Sequence, residues 1–132
     1  MCMSFFKALL GICRTKPLSP DLWSFNDGKI HIALSNLAEL QKEGDAVYLE
    51  GAGLQSPVLI VKAKDDKYLA FENRCTHGKR KLDPVPGAST LKCCSIGHSS
   101  FDFEGNVIKG PAKKALTSYT AEISDDNLII KL

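Results

Sequence analysis

The chain has 132 residues and a mass of 14.4 kDa, a size typical of one domain that buries its own apolar core. Apolar residues make up 44% of the sequence and charged residues 24%, which excludes a disordered tail, a fibrous repeat and a membrane-spanning protein. The 17 basic and 15 acidic residues leave a formal net charge of +2. A charge this small does not predict nucleic-acid binding, which requires a strongly basic face.

Residues 1–22 are predicted to form a short N-terminal helix and a linker. Residues 4–13 are apolar apart from Lys7, but this run is about half the ~20 residues that a membrane span needs. It also lacks the basic leader and the small-residue cleavage site of a secretion signal. Two interpretations stay open: the helix docks on a partner or a membrane surface, or it packs against its own domain. Pro17 and Pro20 then end the segment in a turn-prone linker.

The rest of the chain, residues 23–132, is predicted to be one domain of short strands. Residues Lys29–Ala33 alternate in polarity, as a strand does, and residues 35–40 carry a helix cap and helical spacing that predict one short turn or helix. Acidic and polar residues at 65–66 and 124–127 separate β-rich runs and predict hairpins. The β-rich runs are residues 46–50, 58–63, 68–72, 119–123 and 128–132. This pattern predicts an all-β fold, a small antiparallel sandwich or barrel.

The cysteine pattern favours a reducing, cytoplasmic compartment over secretion. The five cysteines are odd in number and unevenly spaced, unlike the disulfide framework of a small secreted protein. Cys2, Cys13 and His31 stand alone and are expected to be ordinary packing or surface residues. The other cysteines and histidines share one window of the sequence: Cys75, His77, Cys93, Cys94 and His98.

The window of about residues 74–115 breaks the strand pattern with Gly, Pro and polar residues, and it is predicted to be a subdomain of loops. Thiolates paired with imidazoles bind zinc or iron–sulfur centres. Two ligands of each kind suit a [2Fe–2S] centre in which Cys binds one iron and His the other. The single residue between Cys75 and His77 is a shorter step than zinc fingers use, and it suits ligands that bind two adjacent irons.

This segment resembles the cluster-binding half of the Rieske [2Fe–2S] proteins. Their pattern is Cys-x-His-Gly, a long gap, Cys-x-x-His-Gly-Ser-x-Phe-Asp, a glycine turn and a Gly-Pro-Ala loop. Residues 75–78 match the first loop, residues 99–102 match the end of the second, and residues 110–112 match the third, with the turn at residues 105–106. The resemblance covers about residues 28–132 and implies the Rieske fold and a [2Fe–2S] cluster. It implies Cys75, His77, Cys94 and His98 as metal ligands, with Gly78, Ser99 and Pro111 lining the cofactor.

The second loop departs from the family pattern because Gly97 precedes His98, which makes the ligand pair Cys-x-x-x-His. One residue of extended chain moves a side chain by ~3.3 Å, far more than a metal bond tolerates. We expect His98 to bind iron nevertheless, because Gly97 can adopt a positive φ and let the loop rearrange. Two alternatives stay open: His98 points away and the site is degenerate or holds another metal, or Cys93 replaces Cys94 as the ligand. Otherwise Cys93 is expected to pack on the other side of its strand.

The resemblance implies an electron carrier and not an enzyme, namely a Rieske-type ferredoxin between a reductase and an oxygenase or similar terminal enzyme. The sequence has no flavin, nicotinamide or mononuclear-iron motif. The alternatives are a redox or iron sensor, a regulatory or structural subunit that has lost its cluster, and a zinc-stabilised module. Basic residues near the cluster predict a positive collar that attracts partners with an acidic docking surface. They are Lys79, Arg80, Lys81, Lys109, Lys113 and Lys114.

The resemblance also implies a reduction potential near the lower end of the Rieske range, about −150 mV. High-potential members of the family carry a Tyr hydroxyl near the second cysteine and a disulfide between the cluster loops. Here Phe101 occupies the Tyr position, and Arg80 and Ile96 occupy the disulfide positions. Ser99 remains as a possible hydrogen-bond donor to a bridging sulfide.

Overall fold

The computed structural model describes residues 15–76, 81–85, 88–94, 99–110 and 112–132. Within these ranges the chain forms two antiparallel sheets and short 3₁₀ turns at Pro20–Leu22, Leu34–Leu37 and Lys64–Asp66. The strands are β1 Trp23–Asn26, β2 Lys29–Ala33, β3 Ala46–Leu49, β4 Val58–Lys62, β5 Tyr68–Glu72, β6 Leu82–Val85, β7 Thr90–Cys93, β8 Ser100–Asp102, β9 Val107–Lys109, β10 Ser118–Ser124 and β11 Asn127–Lys131. The predicted all-β antiparallel fold is therefore confirmed.

The larger sheet has seven strands in the order β1-β2-β11-β10-β5-β4-β3. Its strand β2 alternates as the sequence predicts, with Ile30 and Ile32 buried and Lys29 and His31 exposed. The predicted hairpins are confirmed: β4 pairs with β5 across the Lys64–Asp66 turn, and β10 pairs with β11. The turn predicted at residues 35–40 is observed as the 3₁₀ turn Leu34–Leu37. Strand β1 has no long alternating pattern and was missed by the sequence analysis.

Strand β4 separates two hydrophobic cores. Val58 and Ile60 pack in one core with β2 and β11, whereas Leu59 and Val61 pack in the other with Phe71 and the smaller sheet. Because both faces of β4 are covered, its apolar residues run without alternation. The strand therefore fixes the smaller sheet against the larger one.

The smaller sheet lies within residues 74–115, where the predicted loops connect strands that the sequence analysis did not delimit. Four strands lie in this region, in the order β6-β7-β8-β9. Each has only three or four residues, and polar residues or Pro84 interrupt them, so their alternation is too short to recognise in the sequence. Leu82, Leu91 and Phe101 are fully buried and anchor this sheet in the second core.

The segment before β1 runs along the edge of the larger sheet. The Leu18 N–H donates to the Tyr48 carbonyl on edge strand β3, and the Tyr48 N–H donates to the Lys16 carbonyl. Thr15 donates from its N–H and its hydroxyl to Asp83 Oδ1 on β6, at 2.8 and 2.6 Å. Residues 15–18 therefore join the two sheets. The predicted helical run of residues 4–13 lies wholly outside the described residues. No described helix is long and apolar enough to cross a membrane.

Gly105, in the turn between β8 and β9, provides a test of how closely this turn packs against Leu116. Its φ is +89°, and an added Cβ would lie 3.3 Å from the Leu116 carbonyl oxygen. Gly28, in the β1–β2 turn, is a matched control because its φ is +74° with open space around it. We expect Gly28→Ala to lower the free energy of unfolding by about 1–2 kcal/mol through backbone strain alone. Gly105→Ala should lower it by about 1–3 kcal/mol more because it also overpacks.

Urea unfolding of the metal-free protein measures both variants. Equal losses of stability for Gly105→Ala and Gly28→Ala would show that the close approach of the added Cβ to Leu116 does not destabilise the fold.

Candidate metal centre

The segment that carries Cys75 is a loop closed at its base by Asn73. Asn73 directly follows β5 and is buried, and its side-chain Oδ1 accepts a hydrogen bond of 2.8 Å from the Leu82 N–H at the start of β6. This bond joins the two ends of the segment 74–81. The sequence analysis missed Asn73; the signal available was a polar residue immediately after a buried strand.

The segment that carries Cys94 is closed by a hydrogen bond at Cys93, the residue paired with Leu82. The Cys93 N–H donates to the Ser99 carbonyl at 2.9 Å, which joins the two ends of the segment 94–98. The Cys94 N–H donates to the Lys81 carbonyl at 3.0 Å, which links this loop to the end of the first. Cys93 also faces Leu82 in the register of β6 and β7. The first cysteine-bearing loop therefore ends, and the second begins, at the strand pair β6 and β7.

A third segment, after β9, contacts both of these loops. The Ala112 N–H donates to Ser99 Oγ at 2.9 Å, and Thr76 Oγ1 donates to the Lys114 carbonyl at 2.7 Å. Ser99 and Ala112 are both buried. The three segments singled out in the sequence thus converge at one end of the smaller sheet. The contact between Thr76 and Lys114 had no signal in the sequence.

The three cysteines of this region differ in state. Cys75 is 1% exposed and carries a free thiol. Cys93 is buried in the second core with Leu82 and Leu91, as the sequence analysis expected. Cys94 is 4% exposed and is disulfide-bonded in this structure. Since only a thiolate binds metal, Cys94 must be reduced before it can act as a ligand.

Several residues predicted to form the site lie outside the described residues. They are His77, Gly78, Lys79, Arg80, Gly97, His98 and Pro111. Within the described ranges, no three His, Cys, Asp or Glu side chains approach closely enough to hold a metal ion. Of the predicted site residues, Cys75, Cys94 and Ser99 lie on described segments that hydrogen bonds connect to one another.

The described basic residues of the predicted collar differ in their surroundings. Lys109, Lys113 and Lys114 are exposed. Lys109 faces Ser100 in the β8–β9 register, and the backbone carbonyl of Lys114 accepts the hydrogen bond from the Thr76 hydroxyl. Both lysines therefore lie beside the converging loops. Lys81 instead lies over the Tyr48 ring and 3.8 Å from a Glu50 carboxylate oxygen, which partly neutralises its charge.

A separate cleft of about 340 Å³ lies beside the larger sheet, where Tyr119 and Glu72 line it together with Phe25. Burial raises the pKa of Tyr119, and the nearby Glu72 carboxylate raises that pKa further. Tyr119 therefore stays a neutral phenol at physiological pH. Neither Cys75 nor Cys94 lines this cleft.

A family model of the Rieske [2Fe–2S] domain matches residues 31–120, which is most of the chain. The chain therefore belongs to the Rieske [2Fe–2S] family, whose cofactor is a [2Fe–2S] cluster. No curated protein sequence matches the chain.

Solved structures of Rieske proteins have the same fold. The plasma-membrane Rieske protein PetC3 of Synechocystis PCC 6803 is 26% identical and superposes with a TM-score of 0.55 over 64% of this chain and 86% of its own. The ferredoxin of carbazole 1,9a-dioxygenase from Nocardioides aromaticivorans IC177 is 20% identical, with a TM-score of 0.58 over 70% and 89% of the two chains. A chain in the complex of reduced oxygenase and oxidized ferredoxin in carbazole 1,9a-dioxygenase is 17% identical, with a TM-score of 0.64 over 80% and 94%.

The described residues fit a [2Fe–2S] cluster at the converging loops. Cys75 supplies a buried sulfur on the first loop, and Cys94 supplies another on the second once it is reduced. Ser99 Oγ accepts from Ala112, which leaves the hydroxyl hydrogen for a further acceptor such as a sulfide. Soft sulfur donors match the chemistry of this cofactor, and a hydroxyl donor in the same group of loops suits the tuning that such clusters receive.

Ser99 is predicted to hold the third loop in place even without metal. Ser99→Ala removes the acceptor of the buried Ala112 N–H and should lower the free energy of unfolding by about 1–3 kcal/mol. Urea unfolding of the metal-free, reduced protein measures this change. Ser100→Ala is the control, since Ser100 is next in the chain but less buried, and it should cost less than about 0.5 kcal/mol. Similar losses for the two variants would contradict the role assigned to Ser99.

Proposed function

We propose that this protein is a Rieske-type ferredoxin, a non-catalytic carrier of single electrons. The observation that carries the proposal is that the Cys75 loop ends and the Cys94 loop begins at the paired residues Leu82 and Cys93. The third loop is hydrogen-bonded to both of these loops. Two structural neighbours, the ferredoxin of carbazole 1,9a-dioxygenase and a chain of a complex of oxygenase and ferredoxin, support a carrier that works with an oxygenase. A reductase is proposed as the source of its electrons. The requirement for thiolates supports a reducing, cytoplasmic compartment.

The proposed ligands are Cys75 and Cys94 on one iron and His77 and His98 on the other. When bound, the cluster supplies a one-electron couple. The chain's own residues bury the two sulfurs, and Ser99 holds the third loop against the second. The proposal places Gly78 and Pro111 around the cofactor.

A second candidate is a Rieske-fold regulatory or structural subunit that has lost its cluster. The disulfide at Cys94 favours this candidate, because a sulfur in a disulfide cannot bind iron. The extra residue between Cys94 and His98 points in the same direction. Cluster uptake by the reduced protein separates the two candidates.

Anaerobic reconstitution with iron and sulfide tests the proposed function directly. After treatment with dithiothreitol, the full chain should take up about two irons and two sulfides and show the visible absorption and low-g EPR signal of a Rieske centre. Without the reductant, uptake should fall at least tenfold because Cys94 is not a thiolate.

His98→Ala should lose most of the cluster, whereas His31→Ala should retain it. His31 is a matched control because it lies exposed on β2 of the larger sheet. A colourless, iron-free wild type under reducing conditions would contradict the ferredoxin proposal and favour the cluster-free subunit. Equal cluster content in the two histidine variants would show that His98 is not the fourth ligand.

The proposed partners carry an acidic docking surface, and the three exposed lysines beside the loops support this. Lys109, Lys113 and Lys114 should speed oxidation of the reduced protein by an anion such as ferricyanide and slow oxidation by a cation such as hexaamminecobalt(III). Replacing all three with Gln should lower the ferricyanide rate at low salt several-fold. The wild-type rate should also fall as ionic strength rises.

The control replaces three exposed lysines far from the loops. Lys29 lies at the β1–β2 turn, and Lys64 and Lys67 lie at the end of β4 and β5 away from Asn73. This variant removes the same charge and should leave the ferricyanide rate within about twofold of wild type. Equal effects of the two triple variants in stopped-flow measurements would show that net charge, not the lysines beside the loops, sets the rate.

A further inference from the structure

Asn73 carries a buried hydrogen-bond donor that has no acceptor in the described structure. Its side chain is 2% exposed, and its Nδ2 makes no hydrogen bond. The Leu82 N–H fixes the orientation of the Asn73 amide, because it requires the oxygen Oδ1 as its acceptor. Buried donors are almost always paired, since an unpaired one keeps the full cost of its desolvation. The Nδ2 group therefore points to an acceptor that appears in another state of the protein.

We propose that Asn73 Nδ2 donates a hydrogen bond to the Cys75 sulfur when the cluster is bound. This inference rests on the proposed function, because it takes Cys75 as an iron ligand. On this proposal Asn73 has two separate roles. Its oxygen closes the first loop, and its nitrogen sets the electronic environment of a ligand sulfur.

The local chain geometry favours Cys75 as the acceptor. The Asn73 N–H donates to the Pro57 carbonyl, and the Arg74 N–H donates to the Glu72 carbonyl, so a tight turn centred on Asn73 leads from β5 into the loop. Only Arg74 separates Asn73 from Cys75, which limits their Cα atoms to about 7.6 Å apart. Both side chains are almost fully buried.

Asn73 Nδ2 lies out of hydrogen-bond reach of every acceptor in the described structure, sulfur atoms included. A sulfur that binds iron accepts hydrogen bonds, and such bonds tune iron–sulfur centres. The bond is therefore assigned to the state in which Cys75 binds the cluster.

Hydrogen bonds to ligand sulfurs help to set the reduction potential of iron–sulfur centres. A donor favours the reduced form, which carries the greater negative charge. Asn73→Leu should therefore shift the equilibrium about tenfold toward the oxidised form, a fall of about 59 mV in the midpoint potential for one electron. Asn73→Asp keeps an oxygen for the Leu82 N–H but has no amide donor, and its potential should also fall.

The test measures midpoint potentials of the reconstituted full chain by protein-film voltammetry. Pulsed EPR of the reduced protein, with ¹⁵N in the asparagine side chains, should show a nitrogen coupling in wild type that both Asn73 variants lose. Asn36→Leu and Asn36→Asp are the controls. Asn36 lies in the 3₁₀ turn Leu34–Leu37 and donates to the Leu22 carbonyl just before β1, so its variants should leave the potential unchanged.

Thermal unfolding with and without the cluster separates donation from loop closure. If Asn73 donates to Cys75, Asn73→Leu should lower the unfolding temperature more in the loaded protein than in the metal-free protein. A potential equal to wild type in both Asn73 variants, with equal thermal losses in the two states, would overturn the inference and leave Asn73 as a loop closure only. A wild type that binds no cluster would overturn the proposed function itself. Failure of the inference alone is therefore distinguished by a protein that binds the cluster but whose potential does not depend on Asn73.

Discussion

Leu82 and Cys93 face each other across β6 and β7, and the hydrogen bonds that close both cysteine loops are made at or beside this pair. Register is strict here because side chains alternate between the two faces of a strand. A slip of one residue would exchange the positions of Cys93 and Cys94. The packing of Cys93 in the second core, between Leu82 and Leu91, therefore determines that Cys94 leads the second loop.

This arrangement depends in turn on β4. Leu59 and Val61 on one face of the strand pack against the smaller sheet, and Val58 and Ile60 on the other face pack in the core of the larger sheet. The two cores share this one backbone, so the smaller sheet cannot move without disturbing residues that are fully buried. Residues 15–18 add a polar link between the same sheets through Thr15 and Asp83. The metal-site loops thus rest on a rigid support.

The sequence predicted the strands that alternate or carry long apolar runs, because burial on one or both faces leaves a periodic pattern. It did not predict β6 to β9, which have three or four residues each and are stabilised by the core they complete. The ligand types were predicted from the Cys-x-His step at Cys75 and His77, and they stay a prediction because both proposed histidine ligands lie outside the described residues. Asn73 and the Thr76–Lys114 contact could not be predicted, because single hydrogen bonds between distant residues follow from tertiary packing. The disulfide at Cys94 likewise had no signal in the residue pattern.

The extra residue of the second loop lies between two ends that hydrogen bonds hold in place. Cys93 and Ser99 hold the two ends of the loop through the N–H to carbonyl bond, and Ser99 is fixed again by Ala112. If His98 binds iron, as proposed, the sequence leaves the adjustment to the residues between these two held ends, and Gly97 is the one among them with the fewest steric limits. The altered spacing and the oxidation state of Cys94 are therefore separate conditions on metal binding, the first met within the loop and the second by the redox environment.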